Sequence, residues 1–297
     1  MSDTPAPALR YRGADLRRAY DLALAGAIGA VMGLYLFTEL VHTDSIELRD
    51  ALAGAAIGAA LGFVLNAAEP LRDGAWLKLC RSASWGAIAG AAGGAIGLLV
   101  GEWVLARFAG GLVGRAVSWA ILGVGIGLSQ GLAARSAQRL RFGLIGGGLG
   151  GALGGFLFEW LRVRIGSQDE GSVRLGQGLG MVVLGAGLGL CLALVEQALR
   201  RAWVQVLRGR QEGRAYLLGR RRNALGLDER AEVGLFGDPT VARQHAEIEQ
   251  TPRGYVLKNL DPKGRTKVNG AAVAGPQALR DGDRIELGGT LLVFRQR

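Results

Sequence analysis

Two cysteines and two histidines in 297 residues leave little room for metal or redox chemistry. Cys80 and Cys191 both stand in apolar surroundings, which excludes a disulfide-stapled secreted scaffold and a cysteine-based zinc site. Neither His42 nor His245 has the serine, cysteine or acid companions of a catalytic set, so no enzyme site, metal or cofactor is expected. Aromatic residues are scarce, at 6%, and never interleave with basic runs. The net charge of +10 therefore points to anionic lipid or a phosphorylated protein rather than to nucleic acid.

Glycine is what the chain has in excess. Of 50 glycines, 37 fall in the first 200 residues. There, nearly uncharged runs of 18–23 residues recur six times: Leu22–Val41, Ala51–Ala68, Ser84–Ala106, Ala116–Ala134, Phe142–Leu161 and Leu175–Val195. About 20 apolar residues in a helix cross a ~30 Å hydrocarbon core. A soluble bundle is the competing reading. It would lose about 1 kcal/mol for each glycine in a water-exposed helix interior, whereas in lipid an unfolded backbone is the worse alternative. The runs predict a six-helix membrane domain over residues 1–202. Fifteen basic residues flank the runs on one side and six on the other, which predicts a multi-pass inner (plasma) membrane protein with both termini in the cytoplasm.

An internal repeat organises the runs. Counting back from Glu102, glycines stand at −5, −8, −9 and −12 (Gly97, Gly94, Gly93, Gly90). Glu159 gives the same offsets, with Gly154, Gly151, Gly150 and Gly147. After one inserted residue Glu39 follows with Gly33, Gly29 and Gly26. The even runs carry Gly58–Gly62, Gly123–Gly127 and Gly185–Gly189. Three tandem hairpins of about 60 residues explain both registers, and the spacing predicts close helix packing, within one chain or in an oligomer. The three glutamates mark where odd helices leave the lipid. A ring of carboxylates for ion coupling is the alternative, but no basic residue inside a helix completes a relay.

After residue 202 the pattern changes to short alternating runs: Trp203–Leu207, Ala215–Leu218, Val233–Phe236, His245–Glu249, Gly254–Asn259, Arg284–Leu287 and Thr290–Phe294. Turn signals separate them, predicting an all-β sandwich over residues 203–297. Three blocks then occur in order: Leu225-Gly226 through Val241-Ala242-Arg243-Gln244-His245-Ala246, then Thr266-Lys267-Val268-Asn269-Gly270, then Leu279-Arg280-Asp281-Gly282-Asp283. This region resembles the forkhead-associated (FHA) family. The resemblance implies apical loops that bind phosphothreonine peptides, with His245 bracing them.

The departures bear on recognition. Where the family carries Arg, Ser and Asn at its phosphate and peptide contacts, this chain has Leu227, Ala242 and Gly264, none of which offers the needed donor. Gly219-Arg220 could replace the lost arginine only through a long loop. Arg243, Lys263, Arg265 and Asn269 are the candidates left for an acidic or unmodified peptide. The expected protein is a membrane-anchored adaptor that binds a protein or peptide, phosphorylated or not. A small channel or transporter regulated by the FHA-like domain is the alternative. Polar residues along the bundle axis would favour transport, and an apolar axis the scaffold.

Overall fold

The computed structural model describes residues 7–108, 111–134, 136–165, 170–261, 263 and 265–297. Gly264 lies outside the described residues. Two compact units emerge, one spanning Arg18–Ala198 and the other containing Leu199–Arg297.

The first unit holds six helices: α1 (Pro7–Leu40), α2 (Ile46–Asp73), α3 (Trp76–Phe108), α4 (Gly111–Ala134), α5 (Ala137–Ile165) and α6 (Glu170–Leu199). Each outruns its apolar segment, because the helical hydrogen bonds continue through flanking Arg and Glu residues. α2 starts where the Ser45 hydroxyl accepts the Leu48 N–H and stops at Gly74, whose φ of 68° only glycine adopts readily. Five helices are long and apolar enough to cross a membrane.

The glycines divide by face. A methyl on Gly90 or Gly94 of α3 would overlap the Gly58 or Gly54 carbonyl of α2, while Gly62 lies against Gly86 in the same way. On the other side of α3, a Cβ on Gly93 would come 2.8 Å from the Gly125 Cα of α4, and Gly97 abuts Ser118. α5 repeats the arrangement. Gly143, Gly147 and Gly151 face Gly127, Gly123 and the Trp119 carbonyl of α4. Gly146, Gly150 and Gly154 face Leu192, Leu188 and Leu184 of α6. On α1, Gly29 and Gly33 meet Leu61 and Ile57 of α2, Gly26 meets Gly185 of α6, and Gly189 of α6 meets Leu22.

The repeat therefore has a geometric meaning. Offsets −8 and −12 contact the even helix before, offsets −5 and −9 the even helix after, and the α1–α6 contact closes a ring. Even helices meet in one apolar core that includes Ile57, Leu61 and Leu65, then Leu122 and Ile126, then Leu184, Leu188 and Leu192. Within that packing, the buried Asn66 donates its amide to Ser129 Oγ at 3.0 Å and to the Gly62 carbonyl at 2.9 Å. Ile88, Leu99, Leu153, Phe156, Leu179 and Leu194 point outward.

Two details differ from the sequence expectation. Glu39 and Glu102 are exposed, but Glu159 is only 6% exposed and binds Arg162 through two hydrogen bonds of 2.9 and 2.6 Å. Trp119 sits near a helix end yet is buried, seated in the hollow left by Gly151 and Gly155 and edge-on to Phe158 at 5.6 Å.

The second unit is a β-sandwich. Its strands are β1 (Ala202–Arg208), β2 (Ala215–Leu217), β3 (Arg222–Gly226), β4 (Val233–Gly234), β5 (Ala246–Thr251), β6 (Gly254–Asn259), β7 (Thr266–Val268), β8 (Ala271–Ala272), β9 (Gln277–Leu279), β10 (Arg284–Leu287) and β11 (Thr290–Gln296). One sheet runs β2-β1-β11-β10-β7-β8 and the other β4-β3-β5-β6-β9. Val204, Val206, Leu225, Ile248, Leu257, Ile285 and Phe294 fill the space between them, the alternate residues of each strand facing inward. At one end, here called basal, the chain enters β1 and leaves β11, and the Arg297 N–H donates to the Arg201 carbonyl. The loops 208–214, 227–245, 260–265 and 288–290 gather at the other, apical end.

Candidate functional site

β3 ends at Gly226, which packs so tightly on the 242–243 segment that a Cβ would stand 2.8 Å from the Ala242 carbonyl oxygen. The Leu227 N–H donates to that same carbonyl at 3.1 Å, and the Asp228 N–H to the Arg243 carbonyl at 3.0 Å. Leu227 and Ala242, the residues at the family's Arg and Ser positions, are thus backbone neighbours. Leu227 spends its half-buried side chain on the sandwich core, and Ala242 presents a methyl.

His245 is fully buried beneath this contact. Its Nδ1 accepts the Ala242 N–H at 3.0 Å, which fixes the proton of the neutral ring on Nε2. Its carbonyl accepts from Leu260 and Asp261, so one residue ties the 242–245 loop to the 260–265 loop. Nε2 lies 3.9 Å from Asp261 Oδ2 and finds no hydrogen-bond partner among the described residues. Burial holds the imidazole below its ordinary pKa, although the Asp261 charge pulls the other way.

Asp261 is a buried carboxylate. It accepts from Arg265 Nε at 2.9 Å, from the Arg265 N–H at 3.2 Å and from the Lys263 N–H at 3.3 Å. The Arg265 side chain, then the backbone N–H groups, hold it well below the usual carboxylate range against the opposing effect of burial. Arg265 therefore has its charge matched inside the loop. Asp238 braces the remaining apical corner, accepting from Thr240 and from the Thr290 hydroxyl at 2.9 Å. Burial raises its pKa, but these bonds outweigh that and leave it lowered.

The four candidate peptide contacts do not form one group. Arg243 and Lys263 are exposed at the apical end, with Arg243 only 4.0 Å at best from Asp228. Arg265 shares that end but grips Asp261. Asn269 does not belong there: it occupies the β7–β8 turn at φ 51°, donates to Asp283 at 2.9 Å and accepts the Arg284 N–H at 2.9 Å. The three residues of β7, rising about 3.3 Å each, carry it away from the apical loops. Arg220 likewise does not replace the lost arginine. Its guanidinium binds Glu232, and the whole of β3 separates it from Leu227. Sequence reasoning missed Asp261 and Asp238. Asp238 lies inside the first motif block with no role assigned to it, and Asp261 shows only as an acid between turn residues, a pattern that surface loops share.

Among curated proteins, none matches the chain. Residues 205–297 match the family described as the cytoplasmic domain of an inner membrane component of the T3SS (Yop-YscD_cpl). Among solved structures, the domain is similar to one from a study of phosphothreonine-dependent FHA domain interactions, at 32% identity over 97% of that chain and 33% of this one, with a TM-score of 0.30. It is similar to the FhaA FHA domain, complexed with the intracellular domain of Rv3910, at 32% identity over 99% of that chain and 32% of this one, TM-score 0.29. It also resembles the cytoplasmic domain of the T3SS sorting platform protein PscD from P. aeruginosa, at 22% identity over 80% of that chain and 32% of this one, TM-score 0.30. With that identity along nearly the full length of two FHA domains, and the motif blocks in place around a braced His245, the chain belongs through its C-terminal domain to the forkhead-associated family.

Proposed function

We propose that this protein is a membrane-anchored recognition adaptor. Residues 1–202 hold it in the inner membrane with both termini in the cytoplasm, and residues 203–297 bind a protein or peptide with little dependence on phosphate. FHA and YscD-type domains are interaction modules rather than enzymes. The carrying observation is the apical site itself: its loops are braced by His245 and Asp261, yet Leu227 and Ala242 meet where phosphate donors are needed. Arg243 and Lys263 remain to supply diffuse positive potential, which screening weakens at physiological salt. A partner resident at the inner face of a membrane fits the family of T3SS membrane components and the complexed FhaA domain.

The apolar core shared by the even helices favours an anchor over a channel or transporter, since among the described residues the buried Asn66, Ser118, Ser129 and Glu159 near it are all hydrogen-bonded. Outward-facing Ile, Leu and Phe side chains on the bundle surface support immersion in lipid. The test is titration of the full chain in nanodiscs with phosphothreonine peptides and their unphosphorylated twins. Comparable affinities for both sets are expected. A strong, salt-resistant preference for the phosphorylated set would refute the reading.

A further inference from the structure

Exposed arginines gather at the basal end of the FHA domain. Residues 203–297 contain 17 basic and 11 acidic side chains. The segments 219–222, 252–253, 280–284 and 295–297 there hold eight of the basic residues and the acids Asp281 and Asp283, with Glu249 of β5 opposite Arg222. The apical segments 208–214, 227–245 and 260–265 hold seven basic residues and six acids, but one of those acids, Glu232, is bound to the basal Arg220. Arg220, Arg222 and Arg295 are paired with Glu232, Glu249 and Asp281, and Asp283 accepts from Asn269 at 2.9 Å. Arg221, Arg253, Arg280, Arg284 and Arg297 are exposed around this rim.

A second observation identifies what the rim meets. Only Arg200 and Arg201 separate the last residue of α6, Leu199, from the first of β1, Ala202. Three Cα–Cα steps reach at most about 11 Å. β1 begins at the basal end, so the two-residue link from a helix long and apolar enough to cross a membrane enters the domain there. The Arg200 guanidinium stacks on the Trp203 ring at 4.0 Å, an arrangement of cation and amphipathic ring suited to a headgroup layer.

We infer that the basal rim is a docking face for an anionic lipid surface, which turns the apical recognition loops toward the cytoplasm. The inference rests on the membrane reading above. Each rim arginine within the headgroup potential favours docking about fivefold, and the attraction falls off over a Debye length of about 8 Å at physiological salt. The apical loops, a full strand length away, lie beyond it.

The test uses the full chain in nanodiscs containing a nitroxide-headgroup lipid, with Cys80 and Cys191 replaced by serine. A fluorophore is placed at Gln296→Cys on the rim or at Gln244→Cys on the apical end, both exposed positions. In discs rich in phosphatidylglycerol the rim label should be quenched and the apical label spared. The difference should shrink in phosphatidylcholine discs and in high salt. Arg280→Gln with Arg284→Gln should lower the docked-to-undocked ratio by about 25-fold, whereas Arg243→Gln with Lys263→Gln, an equal loss of charge, should leave it unchanged. Equal quenching of both labels, rim quenching indifferent to lipid charge and salt, or equal effects of the two double variants would overturn the inference. A chain that fails to enter nanodiscs at all would instead overturn the membrane reading beneath it, and is recognised before any quenching is read.

Discussion

Gly90→Ala offers a direct test of the glycine ring. In α3 a Cβ at position 90 would lie 2.8 Å from the Gly58 carbonyl carbon and 3.4 Å from the Gly62 Cα, with the Gly58 oxygen nearer still. Carbon atoms settle at about 3.5–4.0 Å, so α2 and α3 must part by roughly 0.7 Å or more. The obstruction is backbone, which has no rotamer with which to yield. Parting the helices weakens dispersion all along the α2–α3 seam, and overpacking of this kind costs about 1–3 kcal/mol. The intrinsic helix gain of alanine over glycine, about 1 kcal/mol in water, offsets only part of it. Gly178→Ala in α6 is the control, because nothing lies within 4 Å of its added Cβ; it should be neutral or slightly stabilising. Thermal melts in detergent, read as the fraction remaining monodisperse, should rank Gly90→Ala clearly below both Gly178→Ala and the unmodified protein. Combining Gly58→Ala with Gly90→Ala should cost less than the sum, since either change alone already separates the same pair. If Gly90→Ala melts together with Gly178→Ala, the close backbone approach does not hold the bundle.

Three further outcomes follow from the FHA domain. Burial depresses the His245 pKa below 6.5, so the unfolded chain binds its proton first and stability should fall as pH drops below about 6.5, by at most about 1.4 kcal/mol per pH unit; hydrogen exchange of the β5 amides between pH 8 and 5 reads this, and His245→Asn should flatten the slope. Asn269→Ala should weaken the β7–β8 turn by about 1–2 kcal/mol in the same measurement without altering partner affinity, whereas Arg243→Ala with Lys263→Ala should weaken an acidic partner without altering exchange. Leu227→Arg with Ala242→Ser should raise phosphothreonine-peptide affinity about 10–100-fold; an unchanged titration with the fold intact would mean that the alignment of these two positions is wrong.

Much of the fold was legible because it is written in periodicity. Six apolar runs marked the helices and the glycine offsets pointed to close packing, while which neighbour each offset pair meets is seen only in the structure. What the runs could not give was helix length, since charged residues such as Lys78 and Arg81 continue α3 beyond its apolar part. β3 was missed because it opens on Arg222 and buries Asn223, a polar residue whose amide donates to the Arg220 carbonyl at 2.8 Å. No hydrophobic pattern reveals a buried asparagine satisfied by backbone. In the site, Leu227 and Ala242 were found by motif alone, because a motif fixes position along the chain. Asn269 was misplaced because proximity in sequence to Arg265 was read as proximity in space, and a three-residue strand is enough to separate them.

Bracing and recognition are carried by different atoms in the apical loops. His245 acts through its Nδ1 and its carbonyl, and Asp261 through contacts to Arg265 and to loop N–H groups. All of these bonds point into the domain, and none requires a side-chain donor at position 227 or 242. The Leu227 N–H and the Ala242 carbonyl hold their bond whatever side chains they bear. Loop shape can therefore persist after the phosphate-binding side chains are lost. A scaffold of this kind presents a shaped surface at small energetic cost from losing Arg and Ser, and Leu227 returns part of that cost by packing on the core. The same separation leaves Arg265 matched by Asp261 inside the apical loops, while Arg221, Arg253, Arg280, Arg284 and Arg297 stand exposed at the basal rim.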